Sequence, residues 1–176
     1  MTTDRAGNPD RAYSFNGTGN YIKVKDSPSL DITDEITITA WRYITTNSLG
    51  RLVRKINTWG FPVGGYILSA AGDYMNSELQ LATHPNAVVI TRIERTFPLN
   101  TWGFAAMTYD GNEVSLFFNG EKIFSEPATG KININNVDLL IGASEGVEYF
   151  GGKIDEIRIY DRALTENEIL SLYSGQ

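Results

Sequence analysis

The feature that most constrains this chain is its rhythm. Short runs of β-branched and aromatic residues alternate dry and wet with period two, and Gly, Asn, Asp, Ser and Pro cut them at short intervals. Successive strand side chains point to opposite faces, so such a run between turn residues reads as a half-buried strand. Glu35 to Ile44 is the clearest: Ile36, Ile38 and Ala40 face one way, Thr37, Thr39 and Trp41 the other. Asn20 to Lys25 sets Tyr21, Lys23 and Lys25 on a wet face against Ile22 and Val24 on a dry one. Further runs lie at 12–16, 51–56, 65–70, 77–83, 87–94, 102–109, 113–118, 121–125, 137–141 and 150–160. That is more than one small sheet holds, and two stacked sheets are the economical solution.

Turn chemistry fixes part of the order. Asp110-Gly111 and Asn119-Gly120 supply the positive φ of tight hairpins. They make 104–109, 113–118 and 121–124 consecutive antiparallel neighbours. One short helix, 165–173, is marked by a capping box. Thr165 stands at the N-cap with Glu168 three residues on, flanked by Leu164 and Ile169 as a hydrophobic staple. The helix ends before Gly175. At 176 residues the chain is read as a single all-β domain over 1–176. Its first ten residues are polar, and read either as a loose arm or, through Gly7-Asn8-Pro9, as an ordered turn.

Composition removes several function classes. With 15 Lys and Arg against 21 Asp and Glu, the net charge of −6 disfavours nucleic acid, which is held by cations on phosphate. The chain has no cysteine, which excludes disulfides, thiolate metal sites and cysteine nucleophiles. No run approaches the ~20 apolar residues that span a bilayer, so no membrane insertion is expected. Met1 to Arg5 lacks the apolar stretch of a secretory signal, so either export takes another route or the chain is a piece of a longer protein.

Several segments, in order and over nearly the whole chain, resemble the laminin-G-like, concanavalin-A-like jelly-roll domains of bacterial secreted proteins. They are Phe15-Asn16-Gly17, Asn20-Tyr21-Ile22, Ser27-Pro28-Ser29-Leu30, the strand Ile36 to Trp41, Trp102 to Gly111 with Leu116 to Gly120, and Gly152 to Leu164. The resemblance implies an antiparallel two-sheet jelly-roll sandwich in an extracellular or cell-surface setting. It is nearly silent about the ligand.

Related jelly rolls include glycoside hydrolases, which need two carboxylates flanking the scissile bond. In the glucanase relatives these lie on one strand as Glu-x-Asp-x-x-Glu. The matching segment here has Lys153 and Arg158 where the glutamates belong, and only Asp155 fits. No catalysis is expected. His84, the only histidine, precedes Pro85 in an expected loop, where solvation or contact with a ligand are both open. The resemblance also implies a structural calcium ion where the first and last strands meet. Its ligands would be Asn16, the Gly17 carbonyl and Asp155, with Asn16 standing where the family more often has Asp.

Sugar rings pack their C–H faces on aromatic side chains and need fixed polar partners for their hydroxyls. Trp59, in the Gly- and Pro-rich stretch 59–65, is the first candidate, followed by Tyr74 beside Asp73 and Asn76, and by Tyr149 beside Glu148. Each could instead anchor a loop. Arg51, Arg54, Lys55, Arg92 and Arg95 carry the mid-chain positive charge, and alternation puts Arg92 with Ile90 and Glu94 on one strand face. That face is either solvated or a cationic groove for an anionic glycan. The expected function is a non-catalytic module for polysaccharide or glycoconjugate, accessory to a larger secreted or surface protein. A protein-interaction or self-assembly domain is the alternative.

Overall fold

The computed structural model describes residues 1–46, 51–57, 64–83, 89–144 and 146–175. Twelve strands and one α-helix follow one another: β1 (Tyr13–Asn16), β2 (Ile22–Val24), β3 (Ile36–Ile44), β4 (Arg51–Asn57), β5 (Gly64–Ala70), β6 (Tyr74–Gln80), β7 (Val89–Glu94), β8 (Trp102–Tyr109), β9 (Glu113–Phe118), β10 (Glu121–Pro127), β11 (Leu139–Ile141), β12 (Gly151–Tyr160) and α1 (Glu166–Ser174). They form two six-stranded sheets, β1-β12-β3-β8-β9-β10 and β2-β11-β4-β5-β6-β7. Every strand pair is antiparallel. The two stacked sheets expected from the alternation, and the jelly-roll sandwich that the resemblance implies, are the fold.

The inward residues of both sheets make one core. Ile36, Ile38 and Ala40 of β3 meet Tyr66, Leu68 and Ala70 of β5 and Met75 and Leu79 of β6 across the gap. The two Gly-marked hairpins place β8, β9 and β10 side by side, as the turn residues require. Chain ends are joined through β1 and β12, with Phe15 opposite Gly152. Gly152 has φ +148, and a Cβ there would stand 1.9 Å from the Tyr43 carbonyl oxygen, so this crossing needs glycine.

A second apolar cluster lies outside the first sheet. Trp41, Phe104, Ala106 and Phe117 face away from the main core and are covered by Leu164 and Ile169. The sheet face that alternation leaves wet is therefore dry. Thr37 holds the approach to the helix: its hydroxyl donates to the Arg162 carbonyl at 2.8 Å and accepts from the Leu164 amide at 2.8 Å. The capping box at Thr165 and Glu168 forms in full, and Gly175 ends the helix in the left-handed conformation. The N-terminal residues take the ordered-turn alternative: the Asp4 carboxylate accepts from the Ala6 and Asn8 amides, and Thr2 pairs with Ala12. Val24 departs from expectation. It is 40% exposed although it sits on the inward side of β2, because an edge strand has no neighbour to close over it.

Candidate functional site

The outer face of the second sheet gathers most of the chemistry. Along β6 and β7 the inward positions are Met75, Leu79, Val89 and Ile93, which leaves Tyr74, Asn76 and Glu78, with Ile90, Arg92 and Glu94, on the other side. Register sets Ser69, Asn76 and Arg92 in one row across β5, β6 and β7, and pairs Tyr74 with Glu94 and Glu78 with Ile90.

Three side chains anchor this face. The Arg51 guanidinium donates from Nε to Glu148 Oε2 at 2.9 Å and from Nη1 to Glu78 Oε1 at 2.5 Å and Ser69 Oγ at 3.2 Å. Burial opposes its charge, but the two carboxylates more than offset this and hold its pKa above the usual arginine value. The Asn76 amide nitrogen donates to the same Glu78 oxygen at 3.1 Å, while its buried Oδ1 has no hydrogen-bond partner among the described residues. Tyr74 is almost wholly buried, and burial pushes its phenol up despite the opposing pull of Arg51 and Arg92.

Arg92 lies over the Tyr74 ring, 4.0 Å from its centroid. Its Nε donates to Glu94 Oε1 at 2.6 Å, and half of the side chain faces solvent. Both terminal nitrogens are left without a protein acceptor among the described residues. Ile90, 55% exposed, adds an apolar surface on the same face. The result is a guanidinium seated over a ring with half of its side chain open to solvent, a group that can receive a carboxylate bidentately.

Of the sequence candidates, the structure brings Tyr74 and Arg92 into contact. Tyr149 is half-buried beside Glu148, whose carboxylate closes the Arg51 cluster. Trp59 and His84 lie outside the described residues. Sequence reasoning missed Glu78 and the central role of Arg51, which depends on Arg51 and Glu148 meeting across 97 residues of chain.

Of the residues expected to hold calcium, Asn16 lies opposite Gly151, and Asp155 stands four residues further along β12. The Asn16 Oδ1 accepts from the amides of Thr18, Gly19 and Asn20, so it shapes the turn after β1. Gly17 donates its amide to the Phe150 carbonyl with φ +77, as that turn requires. Asp155 accepts from the Glu156 amide at 2.8 Å. The oxygens that do converge, Asp26 Oδ1 at 2.8 Å, Asp31 Oδ1 at 3.4 Å, and Asn135 O and Oδ1 at 3.0 and 3.1 Å, surround the buried Lys55 ammonium.

Comparison with known proteins supplies the relatives. Residues 16–170 match the family model of the concanavalin A-like lectin/glucanases superfamily. No curated protein sequence matches. Among solved structures, the CBM40 of the Ruminococcus gnavus IT-sialidase, bound to α2,3-sialyllactose, superposes with a TM-score of 0.76 at 16% identity, covering 93% of this chain and 97% of that one. The botulinum neurotoxin serotype D ligand-binding domain in complex with N-acetylneuraminic acid gives 0.74 at 16% identity, over 94% of this chain and 42% of that one. The binding domain of Paraclostridial Mosquitocidal Protein 1 gives 0.67 at 18% identity, over 98% and 49%. The chain thus spans about half the length of the toxin binding domains it resembles.

Proposed function

We propose that this chain, which belongs to the concanavalin A-like lectin/glucanase superfamily, is a non-catalytic glycan-binding module that reads carboxylate-bearing sugars on the outer face of its second sheet. The observation that carries the reading is Arg92 on Tyr74, with the terminal nitrogens open. A sugar acid places its carboxylate on that edge and its C–H surface against Ile90. Sialyllactose and N-acetylneuraminic acid, seen on two proteins of similar fold, belong to this chemical class and support it.

The absence of catalysis is argued from Glu78 and Glu148. Hydrolysis of a glycosidic bond needs one carboxyl to give a proton and another to act on the far side of the sugar. Here both acids are tied to one guanidinium. Tyr149, and on sequence context alone Trp59 and His84, are proposed as rim contacts. Recognition by guanidinium and ring needs no metal, so binding persists in chelator. Affinity at one such site is weak, and repetition in a larger secreted or surface protein raises it by avidity.

Calorimetric titration with 3′-sialyllactose and with lactose tests the reading. Sialyllactose should bind at least tenfold more tightly, and Arg92→Ala should remove that preference, about 1.4 kcal/mol. Arg92→Lys keeps the charge but not the fork, and should recover little of it. Equal binding of both sugars, or an unaltered Arg92→Ala, overturns the site. Release of free sugar from either ligand overturns the non-catalytic claim.

A further inference from the structure

A second opening lies at the side of the sandwich. The two sheets end there in the edge strands β1 and β2, and a pocket of about 290 Å³ runs between them toward the core. Its walls are the inward side chains of Phe15 and Ile154 from the first sheet and Ile22 and Ile141 from the second, joined by Ile157. Isoleucines in such numbers make an apolar floor, and the volume sits at the small end of the ~300–1,000 Å³ typical of ligand pockets.

The rim is built by an irregularity in β12. Register against β3 shifts between Asp155, opposite Trp41, and Arg158, opposite Thr39, so an extra residue is accommodated there. Glu156 within it has φ +46, a left-handed backbone that glutamate rarely adopts. Bulges of this kind bend a strand and re-aim its side chains, and strain is retained where the surroundings impose it. Here the bulge brings Asp155, Glu156 and Ile157 together onto the pocket.

The two acids differ. Glu156 is paired with Arg5 at 3.4 Å and Arg158 at 3.1 Å. Asp155 accepts one backbone hydrogen bond and forms no ion pair among the described residues. Burial raises its pKa above the usual carboxylate value, against the lowering effect of the Glu156 amide, and the charges of Glu156 and Asp4 add to the rise while Arg5 opposes it. A half-buried carboxylate with no ion-pair partner among the described residues, at the mouth of an apolar hollow, is complementary to one kind of molecule. Arg11, which is exposed, is the one cationic residue among the described residues that line the pocket.

We infer that this pocket is a second binding site, separate from the glycan face, for a small ligand with an apolar body and a protonated amine head. The amine pairs with Asp155 and the body fills the space among the isoleucines. The site stands on a different sheet edge from Arg92, so it holds whether or not the glycan reading does.

Amide NMR titration of the full chain with 2-phenylethylamine and with its neutral counterpart 2-phenylethanol tests the assignment. The amine should give saturable shifts at Phe15, Ile22, Ile141, Ile154 and Ile157. Phenylethanol should bind at least tenfold more weakly. Asp155→Asn keeps an acceptor for the Glu156 amide, so the bulge is retained, and it should reduce amine binding to the level of the alcohol. Arg92→Ala should leave amine binding unchanged. Equal binding of amine and alcohol, an unaffected Asp155→Asn, or shifts that map elsewhere would each overturn the proposal.

Discussion

Two cationic side chains show how differently a buried charge can be housed. Lys55 meets two carboxylates and two carbonyl oxygens, so its ammonium serves as a fixed internal cation linking β4 to the segments around Asp26, Asp31 and Asn135. Removing one partner of such a cluster leaves the others uncompensated. Lys55→Met should therefore cost about 3 kcal/mol in urea denaturation. Arg42 is the opposite case. It is buried between the sheets, beside the rings of Phe97 and Phe118, with one hydrogen bond from Nη1 to the Pro98 carbonyl at 3.1 Å. Its Nε and Nη2 have no hydrogen-bond partner among the described residues, and burial brings its pKa down to about 10. A base whose folded pKa is lowered loses stability where it is charged, so the penalty is complete below pH 10 and fades as pH rises above it. Arg42→Met should raise stability at pH 7 by about 1 kcal/mol. Neither role was legible in the sequence. Lys55 follows Arg54 in a strand without clean alternation, so only its partners across the fold reveal its role. Arg42 shares the period-two face of Ile36, Ile38 and Ala40, which marks it as inward, but the rings and carbonyl that house it lie elsewhere in the chain. Asn16, by contrast, has a local cause: Asn-Gly follows a strand, and its Oδ1 accepts from the Thr18, Gly19 and Asn20 amides.

Elements with local causes were read well, and those with distant causes less so. The β8-β9-β10 hairpins and the capped helix follow from turn and cap residues that act within a few positions. What local pattern did not disclose is where the helix docks. Thr37, Thr39 and Trp41 look like a solvated face until α1 covers it. The helix is held by its cap and by Trp41 stacking on Tyr173, with ring centroids 5.7 Å apart. Thr165→Ala should cost about 1 kcal/mol and shift Trp41 fluorescence toward the exposed state. The cap also responds to acid. The Arg162 guanidinium and the Thr165 amide hold the Glu168 carboxyl down at about 2, from an ordinary 4.5. An acid whose folded pKa is lowered contributes stability above its unfolded value and loses it as pH falls. Helix docking should thus weaken between pH 4.5 and 2, and Glu168→Gln should remove that component from the acid titration. The β12 bulge has a sequence mark that the strand reading of 150–160 passed over: Asp155-Glu156 sets two polar residues in succession between Ile154 and Ile157, so the alternation changes phase where the register shifts.

At the scale of the whole molecule, two sheets supply a common interior and three different outer surfaces. The outside of the first sheet is closed by α1, its open side holds the Asp155 pocket, and the outside of the second carries the Arg51 and Arg92 clusters. Sequence resemblance identified the scaffold because core and turn positions define it. It left the ligand open because the outward positions of β4, β6 and β7 are free to vary without disturbing the core. On the function proposed above, binding chemistry resides on that outward face. The most direct measurement is an amide NMR titration with 3′-sialyllactose, read residue by residue. Saturable shifts centred on Tyr74, Asn76, Ile90 and Arg92, lost in Arg92→Ala, are the predicted result. Shifts absent there, or centred elsewhere on the domain, would contradict it.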